Sequence, residues 1–342
     1  MVFYLILLSI FNFFFISYYI KFCKKKKLLD IKNTNFGYKP TPTGAGIVIL
    51  IMFLITNIFF YFYLGESFTD LMPNRWYIFY ISIIILSAVS FIDDFRPISP
   101  ILRLLLQITL IFFSLSLLDL YLLDIPLKIK LFLASIIWIY ILNITNFADG
   151  SDGFLSTILL FFFSGVIFSY NYLNLEFDFT FYMSVSCIFL LAGLLILNKP
   201  IAKTYMGDTG SIFFGYIVGF IILNLSLKYN LWHIMIGLFS YPLADCSKAL
   251  FIKVIFKKKY PWERLDDYSF LRPIIDNKLN QKNVFNYILI FSFINFLIVL
   301  LGIIHDNQFY LIFNFAIAFL LMRIFEKNKK LELKDILKIK LL

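Results

Sequence analysis

Aspartates set between glycines are the residues of this sequence best suited to chemistry. The run Asn143-Ile144-Thr145-Asn146-Phe147-Ala148-Asp149-Gly150-Ser151-Asp152-Gly153 holds two Asp-Gly steps. Such steps favour tight turns in which backbone N–H groups and carboxylates face one ligand. Met206-Gly207-Asp208-Thr209-Gly210-Ser211 sets an acid and two hydroxyls between glycines. It opens a predicted helix, where anions are favoured and a phosphate can approach the backbone closely. Asp93 and Asp94 fall at a predicted helix C-terminus, where the macrodipole is negative, so the pair calls for a cation or raised pKa values. These carboxylates suit magnesium, which takes oxygen ligands and typically one or two carboxylates plus substrate phosphates. Manganese is the alternative. The two histidines, His233 and His305, fall far from the acids, which leaves no His-based zinc or iron site and no histidine general base. Simpler roles compete: Asp152 as cap of the following helix, Asp208 or Thr209 as cap of its own, Asn143 bonding within the bundle. Capping accounts for one residue of the Asn146-to-Gly153 run and leaves the others unexplained.

The elements that must position these groups follow from composition. The 342 residues are 61% hydrophobic and 20% aromatic, with a mean hydropathy of +0.85, far from a soluble domain. Runs such as Trp76 to Ile92 and Phe285 to Ile303 are long enough to cross a hydrocarbon core, and only helices satisfy their own backbone there. The expectation is an all-α polytopic membrane protein of about eleven spans, centred near Phe11, Phe53, Ile84, Phe112, Ile137, Phe161, Ile188, Ile217, Leu238, Phe293 and Phe315. The first run, Met1 to Ile20, has no basic residue before it and no small-residue cleavage site after it. It is expected to stay as a helix.

The formal net charge of +10 raises nucleic acid as a partner, but the cations alternate along the chain. They gather in Lys21 to Lys39, Arg96 with Arg103, Lys199 with Lys203, Lys248 to Lys282 and Arg323 to Lys340. That is the positive-inside pattern, so the partners expected are the membrane and anionic lipid heads, not nucleic acid. It predicts an N-terminus outside, a C-terminus in the cytoplasm and every acidic motif on the cytoplasmic face. Residues 1–325 then form one transmembrane catalytic domain with cytoplasmic loops 21–43, 93–100, 146–153, 198–211 and 253–283, followed by a basic tail, 326–342. Cys23, Cys187 and Cys246 have no metal spacing and are expected to be reduced. The sequon at Asn143 is set aside because of its membrane depth.

At this point the chain, from about Lys39 to Pro273, resembles the polyprenyl-phosphate N-acetylhexosamine-1-phosphate transferases. This is glycosyltransferase family 4, which includes the phospho-MurNAc-pentapeptide transferases and the UDP-GlcNAc:undecaprenyl-phosphate GlcNAc-1-phosphate transferases. Lys39-Pro40-Thr41-Pro42-Thr43-Gly44-Ala45-Gly46 is similar to that family's entry to its second helix. Asp93-Asp94 followed by Ser99-Pro100-Ile101-Leu102-Arg103 resembles its aspartate pair, Asn146 to Gly153 its Asn-x-x-Asp-Gly-x-Asp-Gly loop, and Met206 to Ser211 its Met-Gly-Asp-x-Gly-Ser motif.

The resemblance implies transfer of a sugar-1-phosphate from a UDP-sugar to polyprenyl phosphate, with release of UMP, at the bacterial inner membrane. Such a step would begin a cell-surface glycan such as O-antigen or capsule. The resemblance also implies Asp208 as magnesium ligand, Asp93 as the carboxylate that orients or takes a proton from the lipid phosphate, and Asp94 beside it. Lys39, Asn143, Asn146, Asp149, Asp152, Gly207 and Arg264 would bind substrate. One departure stands out: Pro261-Trp262-Glu263-Arg264-Leu265-Asp266-Asp267-Tyr268-Ser269-Phe270 has no histidine where the family carries a histidine-rich motif. This excludes a close match to the pentapeptide enzyme, and Arg264 is expected to keep the basic role toward a phosphate. Two other readings are a secondary transporter with acidic coupling residues and a family member without catalysis. Whether the chain forms a homodimer is left open.

Overall fold

The computed structural model describes residues 2–30, 40–65, 75–120, 126–260, 268–276 and 278–327. Helices α1 (Val2–Lys26), α2 (Gly46–Leu64), α3 (Trp76–Phe95), α4 (Pro100–Ser114), α5 (Leu127–Phe147), α6 (Phe154–Tyr172), α7 (Phe179–Asn198) and α8 (Gly207–Tyr229) come first. They are followed by α9 (Trp232–Leu238), α10 (Ser240–Phe251), α11 (Arg272–Ile275), α12 (Gln281–Ile304) and α13 (Tyr310–Lys327). Two residue pairs, Leu29 with Pro42 and Asp30 with Thr41, make a minimal antiparallel ladder of β1 (Leu29–Asp30) and β2 (Thr41–Pro42). The protein is an all-α polytopic membrane protein.

Each expected centre lies in a helix. Among the described residues nine helices are by themselves long and apolar enough to cross a membrane. The span expected around Leu238 is instead a pair, α9 and the helix from Ser240 to Phe256, bent by 73°. The cause is local: Pro242 has no N–H to give and its ring crowds the carbonyl four residues back, that of Leu238, the last residue of α9. Breaking a helix in lipid frees polar backbone that must be satisfied within the protein. Asn295 of α12 donates to the Gly237 carbonyl at 2.9 Å. The expected Phe315 span is α13, whose last turns carry Arg323, Glu326 and Lys327.

The hub is α8, which packs on α2, α3, α5 and α9. Without a hydrophobic force between helices in lipid, small residues that allow close contact drive such packing. Trp138 of α5 donates from its indole N–H to the Tyr216 carbonyl at 3.0 Å and lies over Gly219. A Cβ at Gly215 would stand 2.8 Å from the Leu142 carbonyl oxygen and 3.0 Å from Leu142 Cα. Gly215→Val is therefore expected to force α5 and α8 apart, at a cost of about 1–3 kcal/mol, visible as a lower Tm in detergent.

Candidate active site

The acidic motifs meet at one end of the bundle, where α3 ends and α8 begins. Asp94, in the last turn of α3, accepts from the Asp208 N–H at 2.9 Å, the Thr209 N–H at 3.3 Å and the Thr209 hydroxyl at 2.6 Å. Its carboxylate thus caps α8 from another helix and satisfies two of the donors a helix start leaves free. Those two N–H groups are thereby taken by Asp94, and neither Asp208 nor Thr209 caps α8. The close neighbour of Gly207 is the same carboxylate: a Cβ there would lie 2.6 Å from Asp94 Oδ2, and the backbone φ of +71° favours glycine.

Asp93 points the other way. Its Oδ1 accepts from the Ile98 N–H at 2.6 Å and its Oδ2 from the Arg103 guanidinium. The same Arg103 nitrogen reaches Asp208 Oδ2 at 2.8 Å. A guanidinium one turn into α4 therefore joins the last turn of α3 to the first turn of α8. Pro100 at the start of α4 has no N–H to satisfy there and fixes the turn that brings Arg103 round.

The glycine-rich entry to α2 braces this junction. Tyr205 N–H donates to the Pro42 carbonyl at 2.9 Å, Ala45 N–H to Tyr205 O at 3.2 Å and Gly46 N–H to Met206 O at 2.9 Å. The Thr204 hydroxyl adds a bond to Pro42 O at 3.0 Å. The entry motif thus docks on the segment before Asp208.

The Asn146-to-Gly153 loop is fixed from three sides. Asn146 Oδ1 accepts from Ser211 Oγ of α8 at 2.6 Å. Gln281, at the start of α12, accepts from the Ser151 hydroxyl at 2.6 Å and the Asp152 N–H at 3.2 Å. Asp152 is buried and its Oδ2 accepts from the Ala202 N–H at 2.9 Å, so it ties two loops together and does not cap α6. Its other oxygen is buried without a partner among the described residues. Burial pushes this carboxyl up, partly offset by the Ala202 N–H.

Asp149 is left as the carboxylate facing the acidic cluster, with no hydrogen bond among the described residues. Desolvation pushes it well above the usual carboxylate range, and Asp208, Asp94 and Asp152 add to the shift in that order. A carboxyl whose pKa is raised on folding stabilises the fold in its protonated form, and that contribution is lost as pH rises from the unfolded value through the folded one. Asp149→Asn stays neutral throughout. It is expected to raise the Tm of the ligand-free protein, by a margin that grows with pH across that window, while lowering activity. Thermal melts at several pH values read both directions.

Below the cluster runs a groove of about 340 Å³ between α3, α4, α5, α8 and α10. Leu86, Leu104, Ile139 and Ile212 are among its apolar walls, and Arg103 and Asn146 stand on it. Asn143 also lines it, donating to Gln107 Oε1 at 3.0 Å and to the Ile139 carbonyl at 2.8 Å.

Of the residues expected from sequence, Asp93, Asp94, Asp208, Gly207, Asn146, Asp149 and Asp152 gather here, and Asn143 lies in the groove one turn from Asn146. Lys39 and Arg264 lie outside the described residues. Asp245, an acid near the end of its span, has both oxygens accepting from the Ser269 N–H, at 3.0 and 3.1 Å. It holds the turn that places Phe270 on Phe154 and over Gly150. His233 lies at the start of α9 and His305 at the end of α12, away from the acids. Sequence reasoning assigned no site role to Arg103, Gln107 or Gln281. The available signal was spacing: a cation and an amide four residues apart on one face of an otherwise apolar helix.

A bundle of membrane-crossing helices with an arginine-bridged acidic cluster above an apolar groove defines an integral membrane protein whose groove is apolar along its length and charged at one end. Residues 76–226 match the family model described as glycosyl transferase family 4. The chain is similar to proteins named phospho-N-acetylmuramoyl-pentapeptide-transferase. The one from Carboxydothermus hydrogenoformans is 25% identical over 77% of this chain and 83% of its own length. That from Dictyoglomus turgidum is 27% identical over 73% and 80%, and that from Prochlorococcus marinus 30% over 60% and 58%.

Proposed function

We propose that this protein transfers a sugar-1-phosphate, of N-acetylhexosamine type, from a UDP-sugar to a polyprenyl phosphate and releases UMP. The observation that carries the reading is the position of the Asp93–Arg103–Asp208 bridge at the polar end of an apolar groove. A polyprenyl phosphate has that shape, a long apolar chain with an anionic head, and names of relatives at 25–30% identity specify a phospho-sugar transferase. In the reaction an oxygen of the lipid phosphate attacks the β-phosphorus of the UDP-sugar. The bond between that phosphorus and the oxygen bridging to the α-phosphate breaks, and UMP leaves with the electron pair. Arg103 draws the lipid phosphate toward Asp93, which takes or orients its proton. Asn146 and Asp149 face the nucleotide sugar. The site would face the cytoplasm, where UDP-sugars are made.

Carboxylate oxygens are the donor chemistry a magnesium ion takes. Asp93 and Asp208 share the single Arg103 guanidinium, Asp94 bonds the start of α8, and burial, then the charge of Asp208, Asp94 and Asp152, raises Asp149. Among the described residues no group of three His, Cys, Asp or Glu side chains could hold an ion by itself, so magnesium would take one or two carboxylates here and complete its shell with substrate phosphates. Asp208 would hold it with Asp149 nearby, and when bound it would offset charge on the diphosphate.

The test is to incubate membranes carrying the protein with polyprenyl phosphate, magnesium and a panel of UDP-N-acetyl sugars, following UMP and lipid-linked product. At least one sugar is expected to react, and Asp208→Asn to cut UMP release by about 10²–10³-fold. Equal release by wild type and Asp208→Asn, or no reaction with any sugar, sinks the reading.

A further inference from the structure

Two amides stand one helical turn deeper in the groove than Arg103 and Asn146: Gln107 on α4 and Asn143 on α5. Asn143 fixes their orientation. Its Nδ2 donates to the Ile139 carbonyl at 2.8 Å, so the same nitrogen must meet an acceptor on Gln107, and Gln107 presents Oε1 to it at 3.0 Å. Gln107 Nε2 and Asn143 Oδ1 then have no protein partner among the described residues, and neither atom is sealed from the groove. Gln107 as a whole is only 7% exposed. An amide held this deep among apolar side chains with a free donor is costly unless something accepts from it.

We infer that Gln107 Nε2 binds the acceptor's phosphate monoester and that Asn143 positions Gln107 for it. The inference rests on the transfer reaction proposed above and names the residue that distinguishes its lipid acceptor. At the N-terminus of α8, the other donor site for a phosphate here, the Asp208 and Thr209 N–H groups are already taken by Asp94. Besides the hydroxyls of Ser90 and Tyr140, the donors on the groove wall are Arg103, Asn146 and, one turn of about 5.4 Å further in, Gln107. A monoester carrying one proton offers several acceptors and one P–OH donor. That complements a free N–H beside a free C=O.

Gln107→Glu tests this with little change of shape, since a carboxylate still accepts from Asn143 but turns an anion, not a donor, into the groove. Binding of radiolabelled undecaprenyl phosphate and of undecaprenol to purified protein is measured directly, so no sugar nucleotide is needed. The expected result is at least a tenfold weaker affinity of Gln107→Glu for the phosphate, with undecaprenol unchanged, and a smaller loss for Asn143→Ala. Unchanged phosphate affinity in Gln107→Glu overturns the inference, as does equal loss for phosphate and alcohol, which would mark a damaged groove. In turnover assays the KM for the lipid should rise and that for the UDP-sugar stay within about twofold. If wild type prefers the phosphate through Gln107 yet turns over no UDP-sugar, the binding inference stands and the proposed reaction falls.

Discussion

Arg103→Met is expected to lower turnover by about 10²–10³-fold, the scale set by losing one preorganised charged donor at a phosphoryl-transfer site. Arg103 is the single cation on the carboxylates of Asp93 and Asp208 among the described residues. Methionine keeps much of its length and apolar stem but leaves two acids facing each other with the negative end of α3 behind them. Arg103→Lys should recover part of the activity, because an ammonium keeps the charge but not the fixed donor geometry of a planar guanidinium. The order wild type, lysine, methionine in UMP release is the expected result. Methionine protein with wild-type turnover would remove Arg103 from the site.

Gly46→Ala is expected to cost the protein its fold. An added Cβ would lie 2.1 Å from the backbone nitrogen of Gly210 and 2.4 Å from its Cα. Both are main-chain atoms of α8, so no side-chain rotation relieves the clash, and the loss should reach or exceed the upper part of the usual overpacking range, about 3 kcal/mol. Gly210→Ala meets first the Met206 side chain, at 2.7 Å, and should be milder. Size-exclusion profiles and melts of the two variants in detergent check the order. A Gly46→Ala protein that melts like wild type would show that α2 and α8 separate without penalty.

The spans were legible because runs of about twenty apolar residues have one solution in lipid, and each expected centre lies in a helix. The bend after Leu238 was encoded in Pro242, but hydropathy averages over such a break. At the site, Asp-Gly steps marked the right loops while leaving partners unstated. Asp208 and Thr209 looked like their own cap, yet the cap is Asp94, 114 residues earlier. Asp152 looked like a cap and instead bonds Ala202, 50 residues away. Asp245, an acid near the end of its span as the site acids are, instead holds Ser269. Long-range pairings of this kind depend on helix order and tilt, which no local pattern carries.

Ile136 sits near the middle of α5, lines the groove and is 48% exposed. The groove is therefore entered from the side of the bundle, at the depth of the acyl chains. A molecule arriving by that route searches in two dimensions, so what counts is its mole fraction among the surrounding lipids and not its amount per volume of suspension. Diluting the acceptor with inert phospholipid at fixed total amount would slow the reaction, while the water-soluble co-substrate would respond only to its bulk concentration.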